Sequence, residues 1–428
     1  MSSVIGILNK QAVALAADSA VTISRRDNRK IFNTANKIFT LSKYHPVGVM
    51  VYNSASFMGT PWEIIIKMYR DQLKNKSFKT VKAYQEDFFK YLRSNNFFSD
   101  REEEDGELTD FFIFWMNVLV EEVLKDHRNL LLNPTEENKE KFLNRFAEMV
   151  TKFTKNVNGR ELCTDFKNYT QRSFSAYTKD IFDQCLQWIF DPLELELKDS
   201  LKSKLRKFLF YQTTTKDFYR NYTGLIFVGY GDKEIYPQLI PVHVSFVLDE
   251  KLRAFVDVDN QAQISSKNSA AIRPFAQTDV INTVLSGIDP ELDSFYTDNF
   301  MKFLQKYNRL VAKTIEDQSQ ELADAILGLN LEKVVKEYID ENFKIRRENY
   351  INPLMSAVGS LSKEDLAEMA ESLIYLTYLK RRITFKEESV GGPVDVALIT
   401  KGDGFIWIKR KHYFDPKLNH HFFKNYLE

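Results

Sequence analysis

The sequence predicts an α+β fold, and three observations carry that expectation. Short apolar or alternating segments crowd the first 52 residues and return at 224–258 and again after residue 390. Between them, long stretches within 78–210 and 291–360 carry apolar residues at helix spacing with charges in between. With 428 residues, 44% of them hydrophobic and 14% aromatic, the chain can bury a large core, as one domain with additions or as two or three domains.

Taken in order, residues 3–9 and 12–18 read as two strands joined by a turn at Asn9-Lys10-Gln11. The stretch from Arg25 to Asn36 is polar and is expected to be irregular, and Lys37-Ile38-Phe39-Thr40-Leu41 reads as a third strand. After a turn at His45-Pro46, the apolar run from Val47 to Tyr52 fits a buried strand. Trp62 to Leu73 has helical periodicity, and Pro61 stands where a helix can start. Helices are expected at 78–93, 108–128, 135–156 and 176–210, with loops at 101–106 and at Asn133-Pro134. Strands return at 224–231, 238–248 and 252–258, and a helix is expected over 274–285. Residues 291–360 read as helical and highly charged. Ser362 with Asp365 three residues later has the form of a capping box for a helix running to about Arg382. That helix carries Leu366, Ala370, Leu373, Ile374 and Thr377 on one face. A hairpin at Lys401-Gly402-Asp403-Gly404 precedes Phe405-Ile406-Trp407-Ile408, and an aromatic tail closes the chain.

Composition excludes several classes. Lys+Arg and Asp+Glu are equal at 59 each, so no global charge favours nucleic acid or an anionic membrane. Two cysteines, Cys163 and Cys185, neither staple a secreted fold nor form a zinc cluster. No run approaches the roughly 18–20 apolar residues that span a bilayer. The N-terminus lacks the basic region of a signal peptide, and Asn9-Lys10-Gln11 interrupts its apolar run, so a cytoplasmic location is expected. Walker, GxGxxG, HExxH and GxSxG motifs are all missing. His420-His421 could touch a metal, but the pair stands in an aromatic tail suited to packing on a neighbouring surface.

The start of the chain is the informative part. Ser2-Ser3-Val4-Ile5-Gly6, then Ala17-Asp18-Ser19, then Lys37, in this order and spacing, resemble the proteasome β-subunit group of N-terminal nucleophile (Ntn) hydrolases, including the related bacterial ring proteases. Two later stretches add to the likeness. One is Gly229-Tyr230-Gly231-Asp232 followed by Pro237, and the other is Glu387-Glu388-Ser389-Val390-Gly391-Gly392 ahead of a strand. The resemblance implies an αββα four-layer sandwich formed by 1–75, 219–290 and 361–415. Residues 76–218 and 291–360 would then be two large helical insertions, and 416–428 the tail. The sequence departs from the family at three places, one of them Asn53-Ser54, where the family has a Gly. Ala270-Ala271-Ile272-Arg273 stands where a Gly-Ser-Gly-Ser element is expected, leaving Ser269 or Thr278 as substitutes for its hydroxyl. The family's Asp-x-x-Ser places Glu387 at the acid and Val390 at the serine, and a shift of one residue restores Glu388 and Ser389.

The chemistry implied is amide hydrolysis at the chain's own start. Methionine aminopeptidases act when the second residue is small, and removing Met1 would expose the α-amine of Ser2. Such an amine has a pKa of about 7.7–8.0 and can deprotonate its own hydroxyl. By the resemblance Ser2 is the nucleophile, Lys37 the nearby cation, and Asp18 the carboxylate that fixes Lys37. Glu387 and Ser389 would support the site, and Asn53 and Ser54 fall at the oxyanion position. Asn best tolerates unusual backbone angles among non-glycine residues. No cofactor and no metal are expected. The expected partners are a peptide or protein substrate, further copies in a homo-oligomer or proteasome-like assembly, and a separate ATPase, with neither nucleic acid nor membrane. The alternative function is a catalytically inactive scaffold or sensor acting through the helical insertions.

Overall fold

The computed structural model describes residues 2–25, 28–95, 100–127, 129–132, 134–219, 221–384, 390–421 and 424. Strands β1 (Ser3–Asn9) and β2 (Val13–Ala17) are joined by a turn in which Asn9 Oδ1 accepts from the amides of Gln11 and Ala12. The next stretch corrects the expectation of irregular chain. It holds a hairpin of β3 (Val21–Arg25) and β4 (Asn28–Phe32), where Val-Thr-Ile and Ile-Phe supply strand propensity that the intervening polar residues obscure. β5 (Ile38–Thr40), β6 (Val47–Asn53), the short pair β7 (Ser56–Phe57) and β8 (Thr60–Pro61), and helix α1 (Trp62–Leu73) follow.

A helical stretch comes next: α2 (Val81–Ser94), α3 (Arg101–Asp126), α4 (Asn129–Leu132), α5 (Glu136–Val157), α6 (Gln171–Tyr177), α7 (Lys179–Phe190) and α8 (Asp199–Thr214). The acidic run expected to be a loop at 101–106 is the first turn and a half of α3. Asp100 caps the amides of Glu102 and Glu103, and consecutive carboxylates at a helix N-terminus complement its dipole.

The chain then returns to strands: β9 (Thr223–Gly229), β10 (Gln238–Leu248), β11 (Lys251–Val256), β12 (Ala262–Gln263) and β13 (Ala270–Ala276). Here too the structure corrects an expectation, because Pro274 lies inside β13 and helix α9 (Asp279–Ser286) starts only afterwards. β13 is the edge of its sheet, where a residue without an N–H is tolerated. Helices α10 (Pro290–Ile315), α11 (Gln320–Leu327), α12 (Leu331–Arg346), α13 (Asn352–Ser360) and α14 (Lys363–Ile383) come next, the last with the expected Ser362–Asp365 capping box. β14 (Asp395–Thr400) and β15 (Gly404–Lys409) complete the strands.

Besides the two-stranded ribbons β3–β4 and β7–β8, the described strands form two larger antiparallel sheets, one ordered β13-β1-β2-β14-β15 and the other β11-β10-β9-β6-β5, with β12 beside β10. Strand alternation sends Val4 and Leu8 of β1 one way and Ile5 and Ile7 the other. Val4, Leu8, Val13 and Leu15 pack against Met50, Ile226, Val228 and Leu239 of the facing sheet. At Gly6 a Cβ would lie 2.6 Å from Leu239 Cδ1, so the sheets approach closely there. The outer face of the five-stranded sheet, through Ile5, Ile7, Ala14 and Ala16, is covered by Leu366, Ala370, Leu373 and Ile374 of α14. The outer face of the six-stranded sheet, through Val49, Val51, Phe227 and Ile240, is continuous with the aromatic core of α1 to α8. The layers therefore run helix, sheet, sheet, helix. Among the described residues no helix is long and apolar enough to cross a membrane.

Candidate active site

The site forms where the start of β1, the end of β2 and the start of β5 meet. The Ser3 amide donates to Asp18 Oδ1 at 2.8 Å, and the Asp18 amide returns a bond to the Ser3 carbonyl at 3.1 Å. Lys37 directly precedes β5, and its ammonium donates to Asp18 Oδ1 at 2.5 Å and to the Ala20 carbonyl at 2.7 Å. Asp18 Oδ2 accepts from the amides of Ala20 (3.1 Å) and Gly391 (3.2 Å). Four donors thus fill the acceptor capacity of one carboxylate. Ser2, Asp18 and Lys37 are all buried.

Burial pushes Lys37 below its ordinary value, against the pull of Asp18 at hydrogen-bond distance. A second pair, its acid buried and its base partly so, stands beside it. Asp395, at the start of β14 and opposite Ala17, accepts from the Lys411 amide at 2.9 Å and from the Lys411 ammonium. The Lys411 charge lowers Lys37 further and the Asp395 charge raises it. Sequence reading assigned no role to this pair. The available signal was a lone acid between Val394 and Val396, since an acid flanked by apolar strand residues needs a partner once buried.

Ser2 and Lys37 line one cavity of about 210 Å³. Val21, Ala35, Phe39 and Val51 form apolar walls, with Trp62 fixed by an indole hydrogen bond to Thr223 Oγ1 at 2.8 Å. Asn36 and Glu63 lie at its edge, where Asn36 Nδ2 donates to Glu63 at 3.2 Å. Burial raises the Glu63 carboxyl, but the hydrogen bonds from Lys67 and Asn36 prevail and hold it below the usual range. An ammonium has three protons. Lys37 directs two of them to Asp18 and Ala20, and the third can serve the cavity.

Asn53 and Ser54 also line this cavity. Asn53 takes a left-handed backbone, φ 70°, and its Nδ2 donates to the Tyr222 carbonyl at 2.7 Å. The Ser54 amide donates to the same carbonyl at 3.3 Å. That amide is therefore directed at the Tyr222 carbonyl, just ahead of β9.

The two hydroxyls weighed as substitutes separate clearly. Ser269 precedes Ala270, which pairs with Asn9 at the far end of β1, roughly 20 Å of strand from Ser2. Its hydroxyl lies beside Gly359 instead. Thr278 follows Gln277, whose amide donates to the Ser2 carbonyl at 3.1 Å, so Thr278 lies at the Ser2 end. Gln277 Oε1 in turn accepts from Arg381 Nε of α14 at 2.8 Å. Glu387, Glu388 and Ser389 lie outside the described residues, as does Met1. The adjoining Val390 is buried, and Gly391-Gly392 folds onto Asp18. Gly392 has φ 75°, and a Cβ there would meet Asn33 Cβ at 2.8 Å.

Among the described residues no group of three His, Cys, Asp or Glu side chains could hold a metal ion. No protein-family model matches the chain, and no curated protein is detectably similar to it.

Proposed function

We propose that this chain is a divergent proteasome-like Ntn hydrolase that cleaves amide bonds in peptides, with Ser2 as nucleophile once Met1 is removed. The observation that carries the reading is the convergence on Asp18. One carboxylate oxygen takes both the Ser3 amide and the Lys37 ammonium, while Ser2 and Lys37 share a cavity. The order of layers, two facing sheets enclosed by helices, supports it.

In this mechanism Ser2 Oγ attacks the substrate carbonyl and its proton passes to the α-amine of Ser2. The ammonium of Lys37 favours the neutral amine and the developing alkoxide. Asp18 holds Lys37 in place and balances its charge. The protonated α-amine then gives its proton to the leaving amine, and water hydrolyses the resulting ester. The apolar walls of the cavity fit an uncharged side chain next to the scissile bond.

A second reading, a catalytically silent scaffold or sensor, is favoured by the Ser54 amide bonded to Tyr222 and by Val390 at the expected serine position. Incubating a mixed peptide pool with the wild type and with Ser2→Ala separates the two. New fragments made by the wild type alone support the hydrolase. Identical pools from both proteins, with the fold intact, support the scaffold.

A further inference from the structure

Helix α10 leaves an apolar seam uncovered. Its only buried residue among those described is Ala312. Leu292, Tyr296, Phe303, Tyr307 and Leu310 are between 43% and 64% exposed. At 3.6 residues per turn all five fall within an arc of about 60°, so they form one straight stripe along the helix. Charge is also segregated along α10. Glu291, Asp293 and Asp298 precede Lys302, Lys306, Arg309 and Lys313, with no acid among the bases. Asp293 is held by Arg346. None of the four bases has a carboxylate partner among the described residues.

We propose that α10 is a self-association surface on which a second copy of this chain packs antiparallel about a two-fold axis. Antiparallel pairing places the acidic half of each helix against the basic half of the other, whereas parallel pairing sets like charges together. The seam is self-complementary in the same register. Leu292 lies over Leu310 of the second copy, Tyr296 over the methylene stem of Lys306, and Asn299 leaves room for Phe303. At about 200 Å² for a large side chain, five that are half exposed offer roughly 500 Å² per copy. The pair would bury about 1,000 Å², the lower bound for a specific interface, before the lysine and arginine stems are counted. This surface is independent of the cavity at Ser2.

Sedimentation velocity of the full chain at micromolar concentrations is expected to show a dimer. Phe303→Glu should weaken it on the order of 30-fold or more for each copy of this central anchor, with circular dichroism unchanged because the side chain is exposed in the single copy, and with Tm lowered only at concentrations where the wild type dimerises. Leu292→Cys combined with Leu310→Cys in one chain should cross-link on oxidation, and Asn299→Cys should not. Cys163 and Cys185 are buried and stay out of the reaction. A monomeric wild type, a dimer that survives Phe303→Glu, or cross-linking through Asn299→Cys in place of the double variant would overturn the proposal. So would a monomer that sediments with lipid vesicles through this seam.

Discussion

Replacing Asp18 by Asn tests the site with the least change of shape. Asp18 accepts from Ser3 and Lys37 on one oxygen and from Ala20 and Gly391 on the other. An amide offers one acceptor and one donor, so either orientation breaks two bonds. With its oxygen toward Lys37, its NH2 faces the amides of Ala20 and Gly391. Two buried donors then lose their acceptor at about 1–3 kcal/mol each. With its oxygen toward those amides, the Ser3 amide and the buried Lys37 ammonium both lose their acceptor, at about 1–3 and 3–5 kcal/mol. The cheaper route sets the cost, so Asp18→Asn is expected to lose about 2–6 kcal/mol in urea unfolding followed by circular dichroism. Adding Lys37→Met should recover part of that loss, because the pair is coupled. A loss below about 1 kcal/mol, or strict additivity in the double variant, would refute the argument that Asp18 is the buried hub of the chain start.

Three further outcomes follow from the same geometry. Lys37 is held below its ordinary value by burial, so the unfolded chain binds that proton more tightly than the native one. Stability should therefore rise with pH from the lowered native value toward about 10.4, the unfolded value. Activity that needs the Lys37 cation should fall on the alkaline side at a lower pH than an ordinary lysine would give. Asp395→Asn should move that limb down and Lys411→Met should move it up, since their charges act on Lys37 in opposite directions; equal shifts in a pH–rate profile would contradict the assignment. Arg253 is fully buried and donates to the carbonyls of Gln212, Thr213, Thr215 and Asp217 and to Ser245 Oγ. It ties the end of α8 to β11, with no carboxylate partner among the described residues. Arg253→Met should cost about 3–5 kcal/mol by leaving several buried carbonyls unpaired, and Arg253→Lys should rescue little because an ammonium lacks the planar fork. Near-wild-type unfolding of either variant would remove Arg253 from this role.

Much of the fold was legible because periodicity and caps carried it. The β1–β2 turn follows from Asn9, α1 begins at Pro61-Trp62, and α14 opens on its Ser362–Asp365 box. What failed was local chemistry with two readings. Pro274 signals a helix start or an edge strand, and only the sheet order decides between them. The acids at 102–104 suit a loop or a helix N-terminus, and the cap at Asp100 settles it. Ser2, Asp18 and Lys37, singled out through the family resemblance, are brought together by the fold. Asp395 and Gln277 were not singled out, because they reach the site through sheet pairings with β2 and β1 that span most of the chain. The amide of Ser54 was readable only as a position, since its direction depends on the Tyr222 carbonyl of a distant segment.

The central claim is that the mature chain begins with a working nucleophile at Ser2. Intact mass and N-terminal sequencing, before and after an electrophile selective for N-terminal hydroxyl amino acids, test it most directly. The expected result is a chain lacking Met1 that gains one adduct on Ser2, absent in Ser2→Ala and slowed in Lys37→Ala. A folded chain that keeps Met1 and takes up no electrophile would contradict it.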